Sequence, residues 1–173
     1  MLAIALALNL LLFFPSFPIA DVIEGTVAKI AGGDTITVLD SKKVQHRVRI
    51  AGIDAPEKVQ PFGNASRKRL GELVARKEVR VEFYKHDRWG RIVGNMWVTP
   101  PDCPTCGTTL DVALAQVTSG MAWWYRKYAN EQSLEDQGRH EFAEQEAKAK
   151  RAGLWQDKNP QTPWEYRAVQ RGR

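Results

Sequence analysis

Between Val22 and Ala51 the chain keeps a two-residue period through two abrupt turns. VIEGTVAKI alternates as a strand, Gly32-Gly33 turns the chain, and Asp34-Thr-Ile-Thr-Val-Leu alternates as a second strand. Asp40-Ser-Lys-Lys then makes a hairpin turn into a third strand, Val44 to Ala51. Glu78 to Tyr84 and Arg91 to Val98 repeat the pattern, with Val79, Val81 and Phe83 predicted to face inward. One helical stretch intervenes from Phe62 to Ala75, with Ala65, Leu70, Leu73 and Val74 apolar and Arg67, Lys68 and Arg69 polar. Short, regularly spaced strands around a single inserted helix predict a small barrel in a mainly β, α+β chain. Thr109–Thr118 and Leu134–Ala152 read as closing helices, the last stopped at Gly153.

The chain has 173 residues, 43% of them hydrophobic and 26% charged, which suits one globular domain with a real core. Three segments differ in character. Residues 1–20 carry no charge; their apolar run ends at Pro15 and Pro18, and Ala20 precedes the first charge at Asp21. That is the form of a secretory signal peptide cut near Ala20, which predicts a secreted or periplasmic protein. The segment has no Lys or Arg at its start, so an uncleaved anchor or a misplaced start codon is the competing reading. Residues 21–155 form the predicted domain, and 156–173 a polar, basic tail expected to be loosely ordered. A net charge of +5 fits a polyanionic partner and equally fits plain solubility. Cys103 and Cys106 sit in the turn-rich PPDCPTCG. In an exported protein they read as a local disulfide rather than free thiols; a tetrahedral zinc site would need two more ligands.

Charged residues gather where strands end and turns begin. Asp34 follows the Gly-Gly turn, Arg49 ends a strand, and Asp54 and Glu57 flank Ala55-Pro56. Proline fixes one dihedral and biases the residue before it toward extended geometry, so this loop holds its carboxylates at low entropic cost. Arg91 begins a strand after the turn Asp87-Arg88-Trp89-Gly90. Carboxylates so placed repel one another unless a cation joins them, and an all-oxygen donor set suits a hard ion, Ca²⁺ or Mg²⁺. The alternative is a structural ion-pair network with Arg49 and Arg91. Guanidinium forks facing such a site suit the equatorial oxygens of a phosphodiester under in-line attack. Further on, Ala122-Trp-Trp-Tyr-Arg-Lys-Tyr128 interleaves aromatics with cations, a stripe able to stack bases and track phosphates. One of Trp123 and Trp124 is expected to be buried, and Tyr125 exposed.

GGDTITV, RVRIAGIDAPE, DRWGRIVGNMWV, AWWYRKY and EAKAKRAGLW together resemble the staphylococcal (micrococcal) nuclease, or thermonuclease, family over about Val22 to Trp155. The resemblance implies an OB-fold barrel of five strands with three helices. It implies calcium-dependent hydrolysis of DNA and RNA, preferring single strands and leaving 3′-phosphates, by a monomer without stable membrane association after signal cleavage. Asp34 and Asp54 match calcium carboxylates, and the main-chain carbonyl of Ala55 stands where the family supplies a further ligand. Glu57 matches the general base or water-orienting residue, and Arg49 and Arg91 match the phosphate-binding arginines. Arg88 and Tyr125 match positions near the terminal phosphate, and Trp123 replaces an aromatic of the base-stacking wall. Loss of either Arg49 or Arg91 is expected to silence cleavage while barely altering the fold. Gly32 stands where the staphylococcal enzyme has another acidic residue, the loop after Glu57 is shorter, and the Cys103–Cys106 loop is an addition. The competing reading is a non-catalytic OB-fold nucleic-acid-binding module, or a binder of another anionic polymer.

Overall fold

The computed structural model describes residues 20–172, so the segment read as a signal peptide lies, apart from Ala20, outside the described residues. Strands β1 (Asp21–Ile30), β2 (Thr35–Asp40) and β3 (Gln45–Ile50) form the expected antiparallel meander. β5 (Glu78–His86) and β6 (Ile92–Val98) extend the sheet from the other side of β1, in the order β3-β2-β1-β5-β6. A parallel ladder between β3 and β6, Val48 beside Ile92 and Ile50 beside Gly94, joins the two ends. The result is a closed five-stranded mixed barrel of OB type, without the edges an open sheet would leave unpaired.

Period-two burial explains why these segments are strands. Ile36, Val38, Val48, Ile50, Val79, Val81 and Met96 are at most 1% exposed and fill the interior, while their neighbours along each strand point outward. Helix α1 (Gly63–Val74) covers the interior with Leu70, Leu73 and Val74. Ala65, read from sequence as part of its apolar face, is exposed; Ser66 turns inward instead and donates its hydroxyl to the Met121 carbonyl at 2.6 Å. A hydroxyl can be buried at that point because it has a partner.

Helix α2 (Val112–Thr118) starts later than the sequence suggests, because the Asp111 carboxylate caps it by accepting from the Leu114 amide. Three short strands lie outside the barrel. β7 (Leu110–Asp111) pairs antiparallel with the end of β6, and β4 (Ile53–Asp54) pairs with β8 (Trp123–Trp124), setting Asp54 opposite Trp123. Helix α3 (Leu134–Ala149) is capped by Ser133 and ends before the predicted Ala152. The helix stops before the Gly153 expected to end it: Arg151, at φ 49°, is left-handed just past the helix end, and Gly153, itself at φ 52°, opens a 3₁₀ turn, Gly153–Gln156. Cys103 and Cys106 are joined by a disulfide.

The C-terminal tail is not loosely ordered. Residues Pro163–Arg171 form a further helix, α4, so the described residues hold four α-helices rather than three. Thr162 and Glu165 make a reciprocal capping box and Pro163 occupies the first turn. The Gln60 side chain donates to the Gln161 carbonyl at 2.6 Å and ties the start of the helix to the loop after Glu57.

The turn before β2 depends on close approach. A Cβ on Gly33 would meet the Ser66 hydroxyl at 1.8 Å and the Ala55 methyl at 2.8 Å, while its carbonyl accepts from the buried Gln116 amide at 2.8 Å. Gly33→Ala is therefore expected to destabilise the fold by about 1–3 kcal/mol, the usual cost of overpacking. Urea unfolding should show a lower midpoint at unchanged slope.

Candidate functional site

The sequence RVRIAGIDAPE breaks its strand at Gly52, whose φ of +74° favours glycine. A side chain there would also strike the Gln132 amide nitrogen at 2.5 Å. The turn carries the chain from β3 into β4, and the antiparallel register of β2 and β3 sets Thr35 opposite Arg49. Asp34, Arg49 and Asp54, distant in sequence pattern, thus arrive at one mouth of the barrel.

Arg49 binds both carboxylates. Its Nη1 donates to Asp34 Oδ2 at 2.5 Å, and its Nη2 donates to Asp54 Oδ1 at 2.9 Å and to the Ile53 carbonyl at 3.1 Å. The Ala55 amide adds a hydrogen bond to Asp34 Oδ2 at 3.2 Å. Asp54 is completely buried and Asp34 nearly so. Arg49 consequently has a structural role. Its loss would leave two buried carboxylates facing each other with one guanidinium fewer, which corrects the expectation that its removal spares the fold; breaking a buried pair costs about 3–5 kcal/mol.

Arg91 reaches the same cluster through a hydroxyl. Asp87 holds the turn by accepting from the Trp89 and Arg91 amides, and its second oxygen accepts from Arg91 Nε at 2.6 Å. Arg91 Nη1 then lies 3.5 Å from Thr35 Oγ1, which itself donates to Asp34 Oδ1 at 2.7 Å. Arg88 is exposed and lies outside this chain of contacts; its guanidinium sits 4.1 Å over Trp89, whose ring also lies 5.1 Å from that of Arg91.

Glu57 is half-exposed, and its Oε1 accepts from Nη1 of Arg167 at 2.8 Å. Arg167 belongs to α4 and also clasps Asp54, Nη2 to Oδ2 at 2.6 Å and Nη1 to Oδ1 at 3.2 Å. The sequence reading did not include Arg167 in the site. Thr-Pro-Trp-Glu, a recognisable helix start, carried the only local signal, by placing Trp164 and Arg167 one turn apart.

These contacts set the charges. Burial opposes ionisation of Asp34, yet Arg49, the Thr35 hydroxyl and the Ala55 amide outweigh it and hold the carboxyl below its ordinary value. Asp54 moves the other way: burial, reinforced by the neighbouring Asp34 charge, raises it in spite of Arg167 and Arg49. Burial likewise works against charge on Arg49 and Arg167, but their carboxylate partners more than offset it, and both stay cationic.

The aromatic stretch divides as β8 dictates. Trp124 is buried, and its indole N–H donates to Gln132 at 2.8 Å. Trp123 is partly buried, edge-on to Trp155 at 4.3 Å and to Trp164 at 5.9 Å. Tyr125 is not exposed as expected: it is half-buried, with Trp164 stacked on its ring at 5.3 Å and 20°.

Asp34, Asp54 and Glu57 offer only oxygen, the donor chemistry a hard divalent ion would take, and Asp34 and Asp54 already share one cationic group. Among the described residues no three acidic, His or Cys side chains stand as a ready metal cage, because guanidinium groups take up the space between them.

Residues 47–157 match the family described as staphylococcal nuclease homologue. A micrococcal nuclease from Shigella flexneri is 41% identical over 166 residues, covering 95% of this chain and 90% of the relative. An uncharacterized endonuclease from Escherichia coli is 38% identical over 160 residues, 91% of this chain and 94% of its own length. A staphylococcal-like nuclease from Arabidopsis thaliana is 33% identical over 156 residues, which span 88% of this chain and 43% of the plant protein.

Asp87 offers a clean electrostatic test. Burial raises its carboxyl, but the bonds from Arg91 and Trp89 prevail and hold it below the ordinary 3.8. Its stabilising contribution is therefore complete above that value and fades as pH falls through the lowered one. Asp87→Asn should cost about 1–3 kcal/mol at neutral pH. The gap from wild type should close progressively in denaturation series run below pH 3.8.

Proposed function

The chain belongs to the staphylococcal nuclease family, and we propose that it is a calcium-dependent nuclease acting on phosphodiester bonds of both DNA and RNA, without strict sugar or sequence specificity, preferring single strands and releasing 3′-phosphate products. One observation carries this reading: a continuous chain of contacts, Arg91–Thr35–Asp34–Arg49–Asp54, brings two guanidinium forks and the acidic loop to one mouth of the barrel. Desolvating so many charges gives little stability in return, which favours a role in binding or chemistry.

Asp34, Asp54 and the Ala55 carbonyl would hold the calcium. When bound, the ion supplies positive charge to a phosphate oxygen and acidifies the neighbouring water. Glu57 takes or steers the proton of the attacking water, and its partial exposure leaves room for that water. Arg91 meets the phosphoryl oxygens as negative charge develops. Its ion pair through Nε to Asp87 orients the guanidinium, and its Nη1 lies toward Thr35 of the cluster. Arg49, already shared between Asp34 and Asp54, contributes charge while holding those carboxylates in register. In-line displacement then breaks the bond to the 5′ oxygen and leaves phosphate on the 3′ side. Trp123 and Tyr125 supply aromatic faces for bases, and Arg88 an exposed cation for a flanking phosphate.

We place the protein outside the cytoplasm, secreted or periplasmic, as a monomer; the Cys103–Cys106 disulfide supports an oxidising compartment. Among the described residues no helix is long and apolar enough to cross a membrane. A non-catalytic nucleic-acid-binding module is the second reading, favoured by the guanidinium of Arg167 lying against Asp54 and Glu57.

Incubation of the purified protein with single-stranded DNA or RNA, with calcium, magnesium or EGTA, followed by end-group analysis, decides between them. Cleavage should require calcium and leave 3′-phosphates. Arg91→Ala and Glu57→Gln should each lower the rate by about 10²–10³, the cost of one preorganised group; Glu57→Gln should leave the urea midpoint nearly unchanged, whereas Arg91→Ala, which strips Asp87 of its guanidinium partner, should lower it. Cutting at the wild-type rate by either variant would remove the assignment.

A further inference from the structure

Helix α4 lies beyond the residues matched by the family, yet it touches two acidic residues of the proposed site. Trp164 and Arg167 stand one turn apart on the same face of the helix, as i, i+3 neighbours do. Arg167 grips both oxygens of Asp54 and one of Glu57. Trp164 stacks on Tyr125 and meets Trp123 edge-on. One element thus presents a cation to the acidic residues and a planar ring to the aromatic residues. A divalent ion and a base of a single strand would need those same two surfaces.

The docking is shallow. Pro163 is the one buried residue of α4, Val169 is 48% exposed, and Ala168, Gln170 and Arg171 face outward. Its start is tethered by the Gln60–Gln161 hydrogen bond and its first turn is held by its own capping box, so its internal structure does not depend on Arg167 or Trp164. Beyond that anchor, the Arg167 pairs and the Trp164 stack are the principal restraints. Both are interactions that a cation and a nucleic acid replace in kind: the ion competes for the carboxylates, phosphate attracts the guanidinium, and a base takes the face of Tyr125.

We propose that α4 is an internal mimic of cation and substrate, a latch that closes the site through Arg167 and Trp164 and must lift before calcium and single-stranded nucleic acid bind. This rests on the nuclease reading above. The apparent affinity for either ligand is reduced by the fraction of molecules in which the latch is open.

The test uses the full chain and three readouts: calcium affinity by titration calorimetry without nucleic acid, kcat/KM on a single-stranded oligonucleotide, and tryptic cleavage beyond residue 157. Arg167→Ala should tighten calcium about tenfold, as expected if the latch is closed in roughly nine molecules of ten. Trp164→Ala touches no carboxylate, so a tighter calcium affinity in that variant reports release of the helix and not a change in local charge. Both variants should cleave oligonucleotide with a lower KM at limiting calcium. In the wild type, calcium should accelerate tryptic cleavage of the C-terminal segment. The proposal is overturned if Trp164→Ala leaves calcium affinity unchanged, if saturating calcium leaves the tryptic rate unchanged, or if Arg167→Ala lowers kcat/KM, which would make Arg167 a participant in the reaction. Should all forms fail to cut nucleic acid while calcium still tightens in both variants, the latch stands and the nuclease reading falls.

Discussion

The guanidinium of Arg49 spans Asp34 and Asp54, and the mouth of the barrel is organised around that bridge. Two carboxylates brought into a poorly solvated space repel each other, and the planar fork lets each be met by a separate nitrogen. The bridge is also a constraint on topology. It requires β2 and β3 in the observed register, the Gly52 turn immediately after, and β4 held down by β8. Each of these would serve little purpose without the others. The barrel can therefore be seen as a frame whose closing ladder, β3 beside β6, also brings the Asp87–Arg91 turn to the same side as Asp34.

Charge in this region is distributed rather than neutralised pair by pair. Asp34 is held down by three donors, while Asp54, more deeply buried and burdened by its neighbour, is pushed up even with two guanidiniums against it. Where one carboxylate is ionised and burial pushes the next toward its neutral form, additional positive charge favours the ionised pair. In this structure Arg167 supplies that charge from the far end of the chain. A divalent ion would supply the same. The physical basis for binding a cation and the physical basis for docking α4 are therefore one and the same.

The aromatic residues follow a parallel logic. The β4–β8 ladder buries Trp124 and leaves Trp123 at the margin, so the strand's alternation decides which indole is core and which is surface. Trp155 and Trp164 pack about Trp123, and Tyr125 stacks on Trp164, in a cluster that links the 3₁₀ turn, α4 and β8. Aromatic faces at the edge of a basic site invite flat ligands, and here the nearest flat group is another part of the chain.

Local sequence determined the five barrel strands, the first helix, the Gly52 break and the grouping of Asp34, Arg49, Asp54, Glu57 and Arg91 near turns. Such features depend on side-chain period, turn chemistry and backbone freedom, all of which act over a few residues. Only the tertiary structure decided that β3 pairs with β6, that Asp87 rather than a site carboxylate holds Arg91, and that Tyr125 is covered. It alone joined Arg167 to Asp54, more than a hundred residues away. The capping box of α4 could be read locally, but its docking could not. Where a helix comes to rest depends on unsatisfied charge and exposed rings elsewhere in the fold, and those exist only once the barrel has closed.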